Sequence, residues 1–333
     1  MRIGLLGAAH LHVDGYLANL GTAGVEVVGL TDGDTGRGQV WCFTHEVPWF
    51  PSAEALLDAD LDGVVVCSET ADHRRDVELA AAAGVGVLCE KPLATTEPDA
   101  AALVAACDAA GVPLLTAFPM RYSAPMREVR ALLAAGTLGE VHAAMGTNQG
   151  ELPMRHRAWF VEPTRSGGGA LMDHVVHLAD VLRWYLDAEV TEVYAATNRL
   201  LHAPAVTVET GGVVMLTFDS GVFATIDCSW SRPADYPTWG GLRLDLVGAD
   251  GVIGVDAFAQ HLTVYGGSDG PLAWPGWGSD ASQAMIDDLV AVLRGEAAPA
   301  VTGHDGLAAT RVALAAARSA ATGMPVALGA HAT

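Results

Sequence analysis

The chain has 333 residues, 51% of them apolar and 17% charged, with a formal net charge of −21; the length exceeds what one core organises, and the balance excludes a disordered chain. So acidic a surface repels phosphate backbones and anionic lipid, which makes nucleic acid and membranes poor partners. No apolar run reaches the roughly eighteen residues that cross a bilayer, no leader precedes "RIGLLG", and the five cysteines (Cys42, Cys67, Cys89, Cys107, Cys228) form no CxxC pair, so a cytoplasmic protein with free thiols is expected.

In chain order, "RIGLL" (2–6), "VEVVGL" (25–30), "GVVVCS" (63–68), "VGVLC" (85–89) and "VPLLTAF" (112–118) read as buried strands. Between them "VDGYLANLG", "SAEALLDA", "HRRDVELAAAAG" and "EPDAAALVAACDAAG" read as helices, the last marked by Thr96 as cap, Pro98 in the first turn and Gly111 at its end. Near-continuous apolar strands alternating with helices imply a doubly wound parallel sheet covered on both faces, assigned to residues 1–120. The rhythm then changes. A helix "MREVRALLAAG" leads to the strand "EVHAAMGTN", an irregular stretch to residue 166 and a helix over 169–185. Strand-like runs follow through "HLTVYGG", with turns at Asp219-Ser220-Gly221 and Asp250-Gly251. With two closing helices near 281–295 and 305–321, residues 121–333 read as an α+β domain built on a mostly antiparallel sheet.

The first strand turns into the first helix through "GAAHLH". A dinucleotide loop wants G-x-G-x-x-G there, so that backbone approaches a pyrophosphate at a helix N-terminus. Gly7 keeps the first position, while Ala9 and His12 occupy the other two; an ordinary strand-to-helix turn fits the same residues. Asp32 ends the second strand where a carboxylate would accept from ribose hydroxyls. An acid there repels a 2′-phosphate and favours NAD over NADP, a preference that Arg37 moderates.

Lys91 is the only lysine of the chain, against seventeen arginines. A site needing only positive charge could have been written as Arg. Lysine is a compact point charge whose pKa falls on desolvation, whereas arginine is a wide fork that stays protonated. Lys91 is therefore expected to reach a substrate oxygen beside the coenzyme, with Glu90 toward the nicotinamide and Pro92 stiffening the chain after the strand.

Several stretches together resemble the glucose–fructose oxidoreductase / inositol dehydrogenase / MocA-like family of NAD(P)-dependent oxidoreductases. "VVVCSETADH" resembles a strand and loop that imply Ser68, Thr70 and His73 near the coenzyme. "CEKP" matches the family's signature tripeptide, and "GVPLLTAFPMRYSAPMREVRALLAAGTLGEV", with Arg121-Tyr122, resembles its interdomain segment. "GGGALMDHVVHLADVLRW" resembles the helix that bears a catalytic Asp and His. The resemblance implies a Rossmann domain, a substrate domain with a large open sheet, and a homo-dimer or homo-tetramer. The chain departs from the family in "GAAHLH" and in the residues between Asp173 and His177; His10, His12 and His174 suggest a subgroup.

Oxidation of a secondary alcohol needs a base, stabilisation of the developing alkoxide and a positioned hydride acceptor. Asp173 and His177 are i,i+4 and share a helix face. A carboxylate on one imidazole nitrogen leaves the other free to take a proton, so His177 is the expected base and Asp173 its orienter. His174, three residues before His177, could grip a metal with them; no metal is expected, because His177 must stay uncoordinated to move a proton. Asp180, three residues past His177, could assist, though it reads more readily as a helix-packing or solvent acid. His10 and His12 are placed at the coenzyme loop, and Gly167–Gly169 is expected to leave helix-start donors free. "MRHRAWF" and "WSRPADYPTWGG" supply a substrate wall: Trp159, Arg232 and Tyr236, with Trp230, Trp239, Arg155 and Arg157 nearby, joined by Arg121 and His174. The reading is an enzyme transferring a hydride between NAD(H) and a hydroxyl or keto group of a sugar, cyclitol or related polyol. A glycoside hydrolase or lyase using transient oxidation, and a non-catalytic NAD-binding sensor, remain as alternatives.

Overall fold

A computed structural model describes residues 1–238, 240–266 and 272–329. The elements run β1 (Arg2–Leu6), α1 (Val13–Thr22), β2 (Glu26–Thr31), α2 (Thr35–His45), α3 (Ala53–Leu57), β3 (Gly63–Val66), α4 (His73–Ala82), β4 (Gly86–Cys89), α5 (Glu97–Ala110) and β5 (Leu114–Thr116). They continue with α6 (Ala124–Ala134), β6 (Val141–Glu151), α7 (Pro163–Ser166), α8 (Ala170–Leu186), β7 (Val190–Asn198), β8 (Gly211–Phe218), β9 (Phe223–Arg232), β10 (Gly240–Gly248) and β11 (Gly251–Asp256). Two short strands, β12 (Val264–Tyr265) and β13 (Leu272–Ala273), precede α9 (Ala281–Leu293), α10 (Gly303–Thr322) and β14 (Val326–Ala327).

Two compact units result. The first comprises 1–119, 156–167 and 281–310, and the second 120–155, 168–280 and 311–333. The first unit's opening run ends at residue 119, and two later segments return to it. The reason is visible in its core. Gly63 of β3 and Gly86 of β4 leave room for Leu293 of α9, whose methyls would lie 2.6 and 2.4 Å from a Cβ added at either glycine. The first closing helix thus covers the parallel sheet rather than completing the second domain.

The first unit holds five parallel strands in the order β2-β1-β3-β4-β5. A single parallel bridge from Leu30 to Trp49 stands where a further edge strand would lie. Val64, Val66, Val87 and Cys89 pack with Val77, Leu103 and Val104 of the flanking helices. Helix α5 forms as its punctuation predicts: Thr96 Oγ1 accepts from Asp99 N–H, and Gly111 is left-handed at φ +67. Sequence pattern predicts no helix at α2, because "TGRGQVWCFTH" is poor in helix formers. Asp34 caps it, accepting from Arg37 N–H. Gly38 is required there, since an added Cβ would lie 2.3 Å from the Trp49 ring.

The second unit is built on a seven-stranded sheet, β11-β10-β6-β9-β8-β7-β14, antiparallel except where β6 runs parallel to β9. Its strands alternate with period two. In β8, Val214, Leu216 and Phe218 are buried, whereas Val213 and Met215 are exposed. Helix α8 packs on the buried face against β6, β8 and β9. Register aligns Tyr194, Met215, Thr225 and Met145 across four strands of the opposite face.

Candidate active site

In the first unit the chain leaves β1 toward β2 on one side and β3 on the other. Such a reversal opens a crevice at the carboxyl ends of the strands. Gly7, Asp32, Ser68 to Thr70, and Glu90-Lys91 all follow strands on that edge. Gly7 has φ +95, and a Cβ there would lie 2.5 Å from the Ser68 backbone, so no other residue fits. Its N–H donates to Thr31 O at 2.7 Å, and the His10 N–H donates to Cys67 O at 2.9 Å, lacing the loop to β2 and to the end of β3. Ala9 is fully buried, and its carbonyl accepts from Trp159 Nε1–H and Arg157 Nε–H, both at 3.0 Å.

Trp159, read as part of a substrate wall, is held at the coenzyme loop. It is buried, stacks on Phe160 with centroids 4.1 Å apart, and braces the loop after β1 through the Ala9 carbonyl.

Asp32 is the hub of a charged corner. Its Oδ2 accepts from Ala8 N–H at 2.6 Å and Arg37 Nε–H at 2.9 Å; its Oδ1 accepts from Asp34 N–H at 2.7 Å and Arg37 Nη2–H at 2.6 Å. Arg37 also donates to Glu69 through Nη1 at 2.9 Å and Nη2 at 3.2 Å, and Arg165 Nη1 reaches Glu69 at 3.3 Å. Desolvation works against the Arg37 charge, but its hydrogen bonds to Asp32 and Glu69 more than offset it and hold the guanidinium above its ordinary value.

A second cluster lies at the end of β4. Glu90 is fully buried, and its Oε1 sits 2.9 Å from His12 Nδ1, 3.2 Å from His10 Nδ1 and 2.6 Å from the donating Tyr16 hydroxyl. Burial alone would raise the Glu90 carboxyl, yet His10, His12 and Lys91 hold it well below the ordinary carboxylate range. Burial, followed by the Glu90 charge, keeps the Tyr16 phenol un-ionised. Lys91 is itself only 5% exposed, its N–H donates to Glu90 Oε2 at 3.1 Å, and its peptide to Pro92 is cis.

Among the described residues, His10, His12 and Glu90 form the one trio with metal-site spacing. Helical spacing alone points elsewhere, to Asp173, His174 and His177. His73 is buried with Nδ1 3.1 Å from Pro92 O and Nε2 3.3 Å from Ser68 O, so its ring ties the loops after β3 and β4 together. Burial pushes its pKa down, against the two carbonyl contacts. Ser68 and Thr70 are buried beside it.

In the second unit, α8 carries Asp173, His174, His177 and Asp180. The glycine run does not leave its first donors free. Glu209 Oε1 accepts from Gly169 N–H at 2.8 Å and Leu171 N–H at 3.2 Å, while Glu209 O accepts from Ala170 N–H at 3.0 Å. Burial raises the Glu209 carboxyl despite those bonds. Asp173 Oδ2 accepts from the fully buried Trp230 Nε1–H at 2.9 Å and lies 3.6 Å from His174 Nε2.

Arg121, expected at the substrate, directs Nε and Nη2 to the buried Asp180 at 2.8 and 2.6 Å, an ion pair inside the unit. The Arg232 guanidinium lies 3.7 Å over the Tyr236 ring, which meets Trp274 edge-on at 5.4 Å; His261 stacks on Trp274. Trp239 lies outside the described residues.

Reading the sequence alone passes over Glu69, Tyr16 and Glu209. Tyr16 is findable, four residues after His12 on the same helix face. Glu69 and Glu209 carry no periodic signal, since both lie in loops and find their partners through the fold.

The first unit fits an NAD molecule. Gly7 brings backbone close to the crevice, Asp32 offers a carboxylate at the end of β2, and beside it a cavity of about 300 Å³ lined by Gly33, Ser68, Arg75 and Leu79 is large enough for a nucleobase. Sequence profiles agree. Residues 1–118 match the profile described as an oxidoreductase family NAD-binding Rossmann fold, and residues 126–254 match the GFO/IDH/MocA C-terminal domain. The chain is 30% identical over 309 residues to a D-apiose dehydrogenase of Paraburkholderia graminis, covering 85% of this chain and 78% of that one. It is 30% identical over 329 residues to a 1,5-anhydro-D-fructose reductase of Ensifer adhaerens, covering 97% of each. The crystal structure of GenD2 from gentamicin A biosynthesis, in complex with NAD, superposes with a TM-score of 0.87 at 26% identity over 99% of this chain and 97% of that one. With a nucleotide crevice in one unit, an Asp/His-bearing helix in the other and both profiles matched in order, the chain belongs to the GFO/IDH/MocA family of oxidoreductases, whose Rossmann domain binds NAD.

Proposed function

We propose that this oxidoreductase interconverts a secondary hydroxyl and a keto group on a sugar, cyclitol or related polyol, using Lys91, Asp173 and His177. The observation that carries the reading is Lys91: the chain's one lysine, nearly buried, follows β4 at the edge that holds Gly7 and Asp32. Bound NAD supplies the hydride acceptor. His177 takes the hydroxyl proton in oxidation and returns it in reduction. Asp173, one turn earlier on α8 and held by the Trp230 N–H, orients the imidazole. Lys91 donates to the substrate oxygen as negative charge develops there. Arg232 and Tyr236 form the ring-binding wall; an aromatic face with a cation beside it suits a polyol and also admits an acidic sugar. The dehydrogenase and reductase named among the relatives act on sugars of this size and support that class.

A panel of sugars and cyclitols with NAD, followed by NADH absorbance at alkaline pH, tests the activity. Turnover of a glycoside without NADH accumulation would favour the hydrolytic alternative, and tight NAD binding with no turnover would favour a sensor. Lys91→Arg keeps the charge and is expected to lower kcat by about a hundredfold with NAD affinity retained; full kcat in that variant refutes the role.

The exposed row Tyr194, Met215 and Met145, with Val213 and Phe223 beside it, supports assembly through this sheet face into a homo-dimer or homo-tetramer. Met215→Lys should shift the mass seen by light scattering toward the monomer.

A further inference from the structure

We propose that Glu69 sets the coenzyme choice of this chain: it receives the Arg37 fork when a ribose diol takes Asp32, and it withholds that fork from a 2′-phosphate. The inference rests on NAD lying along the carboxyl ends of β1 and β2.

A carboxylate has about four acceptor positions, and Asp32 has four donors: the N–H groups of Ala8 and Asp34, and the Nε and Nη2 of Arg37. The two backbone donors are fixed by the turns that hold them. Only the Arg37 pair can be exchanged. Its parallel N–H groups meet both carboxylate oxygens at once, the same two-donor pattern that a vicinal diol presents. Arg37 and the ribose therefore compete for one pair of acceptor positions.

Arg37 has somewhere to go. Glu69 already accepts from Nη1 and Nη2, and its own side chain is nearly buried, with Arg165 Nη1 3.3 Å from the same Oε1 that Arg37 Nη1 meets. A guanidinium leaving Asp32 thus keeps a carboxylate partner. The charge change points the same way: Asp32, Asp34, Glu69 and Glu162 face Arg37 and Arg165, and removing the Glu69 charge makes the corner one unit less negative. A less negative corner repels the doubly charged phosphate that distinguishes NADP from NAD less strongly, and an Arg37 fork released from Glu69 matches its oxygens.

Calorimetric titration of the full chain with NADH and NADPH tests this without any sugar substrate. The wild type is expected to prefer NADH. Glu69→Gln should lower the ratio Kd(NADPH)/Kd(NADH) by about tenfold, and adding Arg37→Ala to Glu69→Gln should abolish that shift. A ratio unchanged within about twofold in Glu69→Gln, or a shift that persists in the double variant, overturns the proposal. A wild type that binds neither nucleotide sinks the coenzyme reading and this inference with it. A crystal structure of the wild-type NADH complex gives a second readout independent of the variants. Arg37 on Glu69 and off Asp32 supports the exchange; Arg37 still on both Asp32 oxygens overturns it.

Discussion

Glu90 and Glu209 are both largely buried acids next to a secondary-structure terminus, yet one is held ionised and the other is pushed toward its neutral form. At the end of β4, Glu90 faces two imidazoles, a phenol and Lys91, and its pKa falls. At the start of α8, Glu209 meets main-chain N–H groups only, and burial prevails. Neutral amides fix where a carboxylate sits; formal charges nearby decide whether it stays charged. The candidate chemistry of the first unit is assembled from the second kind of contact, and the seat of α8 in the other unit from the first.

The hardest way to break this contrast is Glu90→Gln. It leaves His10 and His12 facing an amide, and unfolding stability should fall by about 3 kcal/mol in urea melts, with kcat down at least about a hundredfold. Stability unchanged by that substitution would mean that the Glu90 charge is not what holds this cluster together. A smaller effect is expected from Trp230→Phe, which keeps most of the ring volume and removes only the donor to Asp173. Turnover should drop about tenfold while NADH affinity stays the same; equal loss of both would assign Trp230 to packing alone.

The mildest test uses pH. A lowered carboxyl such as Glu90 contributes stability that is fully present above about pH 4.3 and is lost as pH falls through its depressed pKa. Glu209 has the opposite sign, its contribution being present below about pH 4.3 and lost as pH rises through its raised pKa. Glu209→Gln should therefore gain about 1 kcal/mol at pH 7 relative to the wild type, and nothing at about pH 4, in melts at the two values.

What the sequence disclosed depended on whether a feature is local. The parallel strands were legible because five apolar runs alternate with helical patterns, the last of them capped by Thr96, and α8 because its charged residues repeat at helical spacing. The lone Lys91 stood out by composition. Helix α2 was invisible, as its two glycines argue against a helix and only the crowding of Trp49 and Asp32 explains Gly38. Arg121 and Trp159 read as substrate contacts because charge and aromaticity are ambiguous in one dimension. Their assignment to Asp180 and to the Ala9 carbonyl needs partners 59 and 150 residues away. Glu69 has no pattern at all; its meaning lies in sharing Arg37 with Asp32.

The segments 156–167 and 281–310 return to a unit whose sheet is finished by residue 116. A ribosome releases that sheet long before it releases Leu293, which seals the gap over Gly63 and Gly86, or Trp159, which props the turn after β1. The nucleotide-binding half must therefore wait for nearly the whole polypeptide. A fragment cut after Pro119 should emerge with two apolar strand surfaces bare and its turn unsupported, prone to stick to itself rather than bind NAD.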